Sequence, residues 1–273
     1  MERVMANKNN NLHLLMLKET LIAATEAGAL VLKHYFASTT LKITNKEGIN
    51  NLVTEADHAS EKAIIETIRE EYPDHSILCE ESGEMHTDSE YKWIIDPIDG
   101  TVNYAHGIPI CCVSIGLEYQ GKLIMGAVYN PFMKEFFFAE KGKGATLNGD
   151  EIKVSGQTEV ERSCVVTGFP YTYLDMPNGP LDVFNRFIRR GVPVRRLGSA
   201  ALDLCWVAAG RFDAFYEHKL QPWDSAAGVV ILEEAGGKVT NYQGEPYSVY
   251  QPAICATNGV IHDEMLKWVN DEV

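Results

Sequence analysis

The sequence predicts a mixed α and β fold whose two halves follow different orders. Up to about residue 150, two helical stretches lead into strands joined by short turns, an α+β order. From 151 to 273 strands alternate with helices, which implies a sheet covered by helices. A third observation is Trp93-Ile94-Ile95-Asp96-Pro97-Ile98-Asp99-Gly100-Thr101, a β-favouring apolar strand that runs into a tight charged turn. No linker-type break separates the halves. The chain therefore reads as one unit over 1–273, with subdomains of about 1–150 and 151–273 fused along one interface.

Residues 1–10 are polar and Asn-rich and predict a frayed start. From about 11 to 36, Leu14, Leu17, Leu21, Ala24, Val31 and Tyr35 recur at helical spacing, so one face of this helix packs on a core. Asn45 to Asn51 is a loop. After Leu52-Val53, Thr54 stands three residues before Asp57 in a capping-box pattern. The helix opened there runs to about Glu71, with Ala56, Ala63, Ile64 and Ile68 inward, and Pro73 ends it. Ser76 to Cys79 is a strand that delivers Glu80-Glu81-Ser82. The polar stretch Gly83 to Glu90 has the composition of a flap over a site.

Strands follow at about 111–119, 122–130 and 135–140, punctuated by Gly121 and Pro131, and a hairpin spans Gly142 to Asp150. In the second half, strands at 163–167, 192–196, 212–216 and 238–240 alternate with helices at about 180–190, 199–209 and 225–235. Pro177-Asn178-Gly179-Pro180 is a turn.

The formal net charge is −14, from 38 acidic against 24 basic residues. That argues against a nucleic-acid or anionic-membrane partner, both of which need a basic surface. No run approaches a membrane-spanning length, and Lys18, Glu19 and Glu26 interrupt the leucines that a signal peptide would need continuous. The six cysteines form no Cys-x-x-Cys pair, and most sit inside apolar runs, as in Cys111-Cys112-Val113. They read as buried hydrophobes of a reducing compartment, and the expected location is the cytoplasm.

At the charged turn, Pro97 keeps Asp96 out of the helical region, and Gly100 lets the backbone approach a ligand. Asp96, the Ile98 carbonyl and Asp99 make a hard-oxygen cluster of the kind Mg²⁺ prefers. The N–H groups beyond the turn suit a phosphate oxygen. Alone, the Asp-x-x-Asp spacing is common and fits a strand-ending cap equally well.

Four further segments carry chemistry. Glu80-Glu81-Ser82 follows a strand, although paired glutamates are usually solvated. Gly198-Ser199-Ala200-Ala201 opens a helix, where backbone groups meet an anion or hydroxyls, or where small residues simply pack. Glu217 ends an apolar strand, where it would grip a polyol or lie exposed. Trp223-Asp224 precedes the apolar helix 226–235 and, standing alone, reads as its cap.

Their joint order is more specific than any one of them. Leu52-Val53-Thr54-x-Ala56-Asp57, Glu80-Glu81-Ser82, Asp96-Pro97-Ile98-Asp99-Gly100-Thr101, Gly198-Ser199-Ala200 and Trp223-Asp224 together closely resemble the inositol monophosphatase family. The similarity continues through Gly142-Lys143-Gly144-Ala145, Glu234-Ala235-Gly236-Gly237 and Ala256-Thr257-Asn258, and so covers nearly the whole chain.

The resemblance implies a layered αβαβα sugar-phosphatase fold and Mg²⁺-dependent hydrolysis of a small phosphomonoester, first of all myo-inositol 1-phosphate, by direct attack of water. It implies that Glu80, Asp96, the Ile98 carbonyl, Asp99 and Asp224 hold two or three Mg²⁺ ions. Gly100 and Thr101 would bind phosphate beside Ile98 and Asp99. Gly198, Ser199, Ala200, Glu217 and Asp224 would line the inositol side, and Thr101, Asn51 and Glu80 would act on the water. It further implies a homodimer.

One position departs from the family's pattern: Asn51 stands where an aspartate usually precedes Leu-Val-Thr and pairs with Thr101. An amide orients a water or a hydroxyl but takes up no proton. A metal- and phosphate-binding scaffold of low activity is therefore one alternative. Others are relatives acting on 3′-phosphoadenosine 5′-phosphate, histidinol phosphate, NADP or fructose 1,6-bisphosphate, for which Arg195 and Arg196 supply nearby positive charge. Haloacid-dehalogenase-like phosphatases use Asp-x-Asp-x-Thr, and the two-residue gap here does not fit that geometry.

Overall fold

The computed structural model describes residues 2–36, 38, 42–45, 52–170 and 179–273, with the backbone alone for 2–10, 45 and 52. Asn51 and the rest of the expected loop beyond Asn45 lie outside the described residues.

Two helices, α1 (Glu2–Tyr35) and α2 (Glu55–Glu71), form the first layer. They meet closely at Gly28, where a Cβ would stand 2.8 Å from Ile64 Cδ1. A short antiparallel ladder of β1 (Ile43–Asn45) and β2 (Leu52–Thr54) leads into α2. The predicted capping box is present: Thr54 N donates to Asp57 Oδ2 at 2.7 Å, and Ala56 N donates to Thr54 Oγ1 at 3.1 Å.

The second layer is an eight-stranded sheet. Its strands are β3 (Ser76–Cys79), β4 (Gly83–Met85), β5 (Tyr91–Asp99), β6 (Cys112–Tyr119), β7 (Lys122–Asn130), β8 (Glu135–Glu140), β9 (Ala145–Leu147) and β10 (Asp150–Glu151). They lie in the order β10-β9-β8-β7-β6-β5-β3-β4, and β3 with β5 is the parallel pair. Leu17, Leu21, Leu32, Ile64 and Ile68 from the helices pack with Trp93, Ile95, Val113 and Ile115 of this sheet. A five-residue helix, α3 (Thr101–Ala105), starts directly after β5.

The second half supplies α4 (Pro180–Arg189), α5 (Ala200–Ala208), α6 (Pro222–Glu234) and α7 (His262–Val269). Its strands are β11 (Val165–Thr167), β12 (Val194–Arg195), β13 (Ala214–His218), β14 (Lys238–Thr240) and β15 (Ala253–Thr257). They form a five-stranded sheet in the order β12-β11-β13-β15-β14. The helices α5 and α6 fill the space between the sheets, with Val128 and Phe137 on one side and Val166, Phe215 and Ile254 on the other. Outside the second sheet, Val183 and Phe187 of α4 join Met265 and Trp268 of α7. The layers run helix, sheet, helix, sheet, helix, the αβαβα architecture expected from the resemblance.

A helix between two sheets has no wet face. Every residue of α5 is buried, which explains why its sequence lacks an amphipathic period. Two glycines bring α6 onto the first sheet. A Cβ at Gly126 would lie 2.5 Å from Ala227 O, and one at Gly116 would lie 2.7 Å from Ala226 Cβ.

Several expectations are corrected. The first helix starts earlier than expected: α1 begins at Glu2 and not near residue 11, since extending an existing helix adds a hydrogen bond for each residue fixed. The stretch from Gly83 is not a flap, because Gly83–Met85 pairs with β3 as the sheet's edge. Thr87 fastens the remainder, donating from N to Ser76 Oγ at 3.1 Å and from Oγ1 to Asp74 O at 2.6 Å. The helix expected at 225 starts at Pro222, a residue suited to a first helical turn. The elements α3, β15 and α7 had no sequence expectation; runs this short are ambiguous by period.

Candidate active site

Asp96 and Asp99 end β5 on a register irregularity. Asp96 faces Ser114 and Asp99 faces Cys112 on β6, so three steps on one strand match two on the other. In a regular strand, residues three apart point to opposite faces, and the irregularity re-aims one of them. Both carboxylates consequently line one cavity of about 140 Å³. Ile98 N donates to Asp96 Oδ1 at 3.0 Å, which closes the turn.

Gly100 has φ +94, and a Cβ there would stand 2.8 Å from Ile110 O. No other residue fits this turn without strain. Thr101 then opens α3, whose first amides have no acceptor inside the helix, and Gly100 and Thr101 line the cavity.

Asp99 reaches across to α5. Ser199 Oγ donates to Asp99 Oδ2 at 2.6 Å, Ala201 N donates to the same oxygen at 2.8 Å, and Ala200 N reaches Oδ1 at 3.3 Å. The anion expected at the start of this helix is therefore, in these bonds, a side chain of the protein itself. Gly198 and Ala200 line the cavity beside Ser199.

Behind the site, one face of α2 holds three pieces of backbone and side chain. Asp57 Oδ1 accepts from Thr101 Oγ1 at 3.3 Å. Ser60 Oγ donates to Pro97 O at 3.0 Å, and Glu61 Oε2 accepts from Glu81 N at 3.0 Å. Positions 57, 60 and 61 share a helical face, and all three are buried. That periodic set of polar residues, inward instead of outward, was the available sequence signal for these supports, and it was missed.

The opposite wall comes from the second half. Asp224 lies in the first turn of α6, and Gln221 N donates to its Oδ2 at 2.6 Å. It caps from inside the helix and also lines the cavity. Glu217, at the end of β13, packs on Gly168, where a Cβ would fall 2.3 Å from its carboxylate. Gly168, Phe169, Arg196, Asp203 and Leu220 line the same space. Of these, only Arg196 was weighed from the sequence.

Every proposed site residue among the described ones therefore lines one cavity: Glu80, Asp96, Ile98, Asp99, Gly100, Thr101, Gly198, Ser199, Ala200, Glu217 and Asp224. Burial raises the Asp96 carboxyl well above its usual range, and Glu80, Asp99 and Asp224 raise it further. Burial also lifts Asp99 to about 6, against the hydrogen bonds from Ser199 and Ala201 that favour its charged form. Glu217 is raised by burial and then by Asp224 and Asp99.

Among the described residues no three acidic, histidine or cysteine side chains already form a closed metal cage. The donor chemistry nevertheless fits Mg²⁺. Six carboxylates, of Glu80, Asp96, Asp99, Asp203, Glu217 and Asp224, line one cavity together with Ile98, and Arg196 is the only cation among the described lining residues. A divalent cation offsets that mutual repulsion.

The layered fold and this acidic cavity point to the class of phosphatases. Residues 16–273 match the model of the inositol monophosphatase family, and the chain belongs to that family. It is 45% identical over 225 residues to the inositol-1-monophosphatase of Synechocystis, covering 82% of this chain and 78% of that one. It is 39% identical to the Nus factor SuhB of Escherichia coli K12, over 94% of this chain and 97% of the other. The solved inositol monophosphatase of Anabaena superposes with a TM-score of 0.82 at 44% identity, covering 93% and 96% of the two chains.

Proposed function

We propose that this protein is a Mg²⁺-dependent phosphomonoesterase that hydrolyses a small polyol phosphate, myo-inositol 1-phosphate in first place, to the free alcohol and phosphate. The observation that carries this reading is the convergence of Glu80, Asp96, Ile98, Asp99, Thr101 and Asp224 on one cavity. Glu80, Asp96, the Ile98 carbonyl, Asp99 and Asp224 would hold two or three Mg²⁺ ions. Bound there, the ions supply charge neutralisation at phosphate and a lowered pKa for the attacking water.

The chain's own groups do the remainder. The amides of Gly100 and Thr101 hold the phosphate at the start of α3. The Thr101 hydroxyl has one proton and two acceptors, Ile98 O at 3.0 Å and Asp57 Oδ1 at 3.3 Å. Turned towards Asp57, it presents lone pairs to the cavity and accepts from the water. Asp57 thus supports Thr101 in a sequence where Asn51 has no carboxylate to offer. The small residues Gly198 and Ala200, with Glu217 opposite, leave room for the leaving alcohol. A second copy of this chain is the proposed partner.

The test is phosphate release with Mg²⁺, and with EDTA as control, from inositol 1-phosphate, histidinol phosphate, 3′-phosphoadenosine 5′-phosphate and fructose 1,6-bisphosphate. Metal-dependent turnover highest on inositol 1-phosphate is the expected result, and Asn51→Asp is expected to raise it. The relatives named Nus factor SuhB support a second reading, a binding role without turnover. Phosphate and metal binding without turnover, in the wild type and in Asn51→Asp alike, would favour that reading.

A further inference from the structure

One acid in the cavity has no task in this scheme. Asp203, one turn into α5, is 1% exposed and lines the same cavity as Glu217. Its Oδ1 has no hydrogen-bond partner among the described residues. A buried carboxyl oxygen left unpaired is costly, and native structures tolerate it where something else completes the bond. The same cavity is lined by Glu217, by Gly168, whose missing Cβ makes space for the Glu217 carboxylate, and by Phe169 and Leu220.

We propose that Asp203 is a specificity residue: its Oδ1 pairs with a hydroxyl of the substrate's leaving alcohol, beside the hydroxyl that Glu217 grips. The inference rests on the phosphatase reading and narrows it to alcohols with at least two hydroxyls within reach of the ester. A hydroxyl both donates and accepts, so it satisfies Asp203 as carboxylate or as acid. A second phosphate only accepts and carries negative charge, so beside Asp203 and Glu217 it is disfavoured in spite of Arg196 at the edge. Burial, followed by the charge of Glu217, raises the Asp203 carboxyl well above its usual range, which agrees with an acidic wall made for a neutral partner.

The test compares kcat/KM for inositol 1-phosphate with that for p-nitrophenyl phosphate, whose leaving group carries no further hydroxyl, in wild type and Asp203→Leu. Leucine keeps the fork at Cγ, removes the buried unpaired oxygen and places its added bulk beside the cavity, so the variant is expected to fold. The expected result is a fall of at least tenfold in the ratio of the two values. An unchanged ratio, whether both rates fall or neither does, overturns the proposal. Should Asp203→Leu not fold, the wild type decides: kcat/KM should rise at least tenfold from propyl phosphate through glycerol 1-phosphate to inositol 1-phosphate, and a flat series overturns the proposal. If the wild type hydrolyses nothing with Mg²⁺, the phosphatase reading fails on its own. Calorimetric binding of inositol 1-phosphate with Mg²⁺ then separates the two ideas. Affinity at least tenfold weaker in Asp203→Leu keeps the pocket assignment, and equal affinity, or no binding by the wild type, removes it.

Discussion

The Thr101 hydroxyl lies 3.3 Å from the Asp57 carboxylate, a group buried at the start of α2 whose other oxygen caps that helix. The residue that begins the helix behind the site is also the one that orients a candidate catalytic hydroxyl in front of it. On the proposed reading, stability and chemistry are coupled at this carboxylate.

Asp57→Asn separates the two roles. An amide keeps the shape and one acceptor for the cap, but it turns N–H groups towards Thr101 and reverses that hydroxyl. The expected stability loss is about 1–2 kcal/mol in denaturant unfolding. Turnover is expected to fall at least tenfold at saturating Mg²⁺ and substrate. Wild-type turnover in this variant would mean that Thr101 does not need the carboxylate.

Ser199→Ala removes the 2.6 Å bond to Asp99. That bond favours the charged form, so the Asp99 carboxyl should rise further above about 6. Mg²⁺ must then displace a proton more often. Its affinity in calorimetry should drop several-fold at about pH 6.5, with a smaller deficit at about pH 8. A deficit independent of pH would point to altered geometry instead.

The metal-free protein should show opposing pH trends. Asp99 binds its proton more tightly folded, at about 6, than at its usual 3.8, so its contribution is present at low pH and lost as pH rises through about 6. Asp96 acts in the same direction. His75 and His262, both lowered by burial to about 4, contribute stability above their usual 6.5 that is lost as pH falls towards 4. Mg²⁺ acts on the carboxylates alone, so it should raise Tm more at about pH 7.5 than at about pH 5. Equal increments at the two values would contradict the assignment of these acids as ligands.

Gly126→Ala tests how α6 is seated. Its Cβ would meet Ala227 O at 2.5 Å, and backbone on both sides cannot yield cheaply. A loss of about 1–3 kcal/mol is expected in thermal or urea unfolding. Turnover should drop as well, because lifting α6 moves Asp224. Full stability would show that α6 and β7 have slack at this contact.

Much of the site was legible because its residues are grouped locally. Asp96, Ile98, Asp99, Gly100 and Thr101 fall within six positions, and a Pro and a Gly fix their turn. Strand boundaries at β6, β7 and β8 were legible too, since Gly121 and Pro131 interrupt long apolar runs. The supports were not. Ser60 and Glu61 resemble any polar pair on a helix until the helix is known to bury that face against Pro97 and Glu81. Asp203 sits in an all-buried helix whose sequence has no period from which to read its direction.

The sequence by itself determined the family, most of the elements and the residue types that crowd the candidate site, because those depend on side-chain chemistry and on spacing along a few residues. Only the tertiary structure decided which groups act together. The irregularity in β5 puts Asp96 and Asp99 into one cavity, and the layering places Thr101 against Asp57 and brings Asp203 and Glu217 into the same cavity. The reason is physical: hydrogen bonding, burial and repulsion between carboxyls act over a few ångströms in space, and distance along the chain does not measure them.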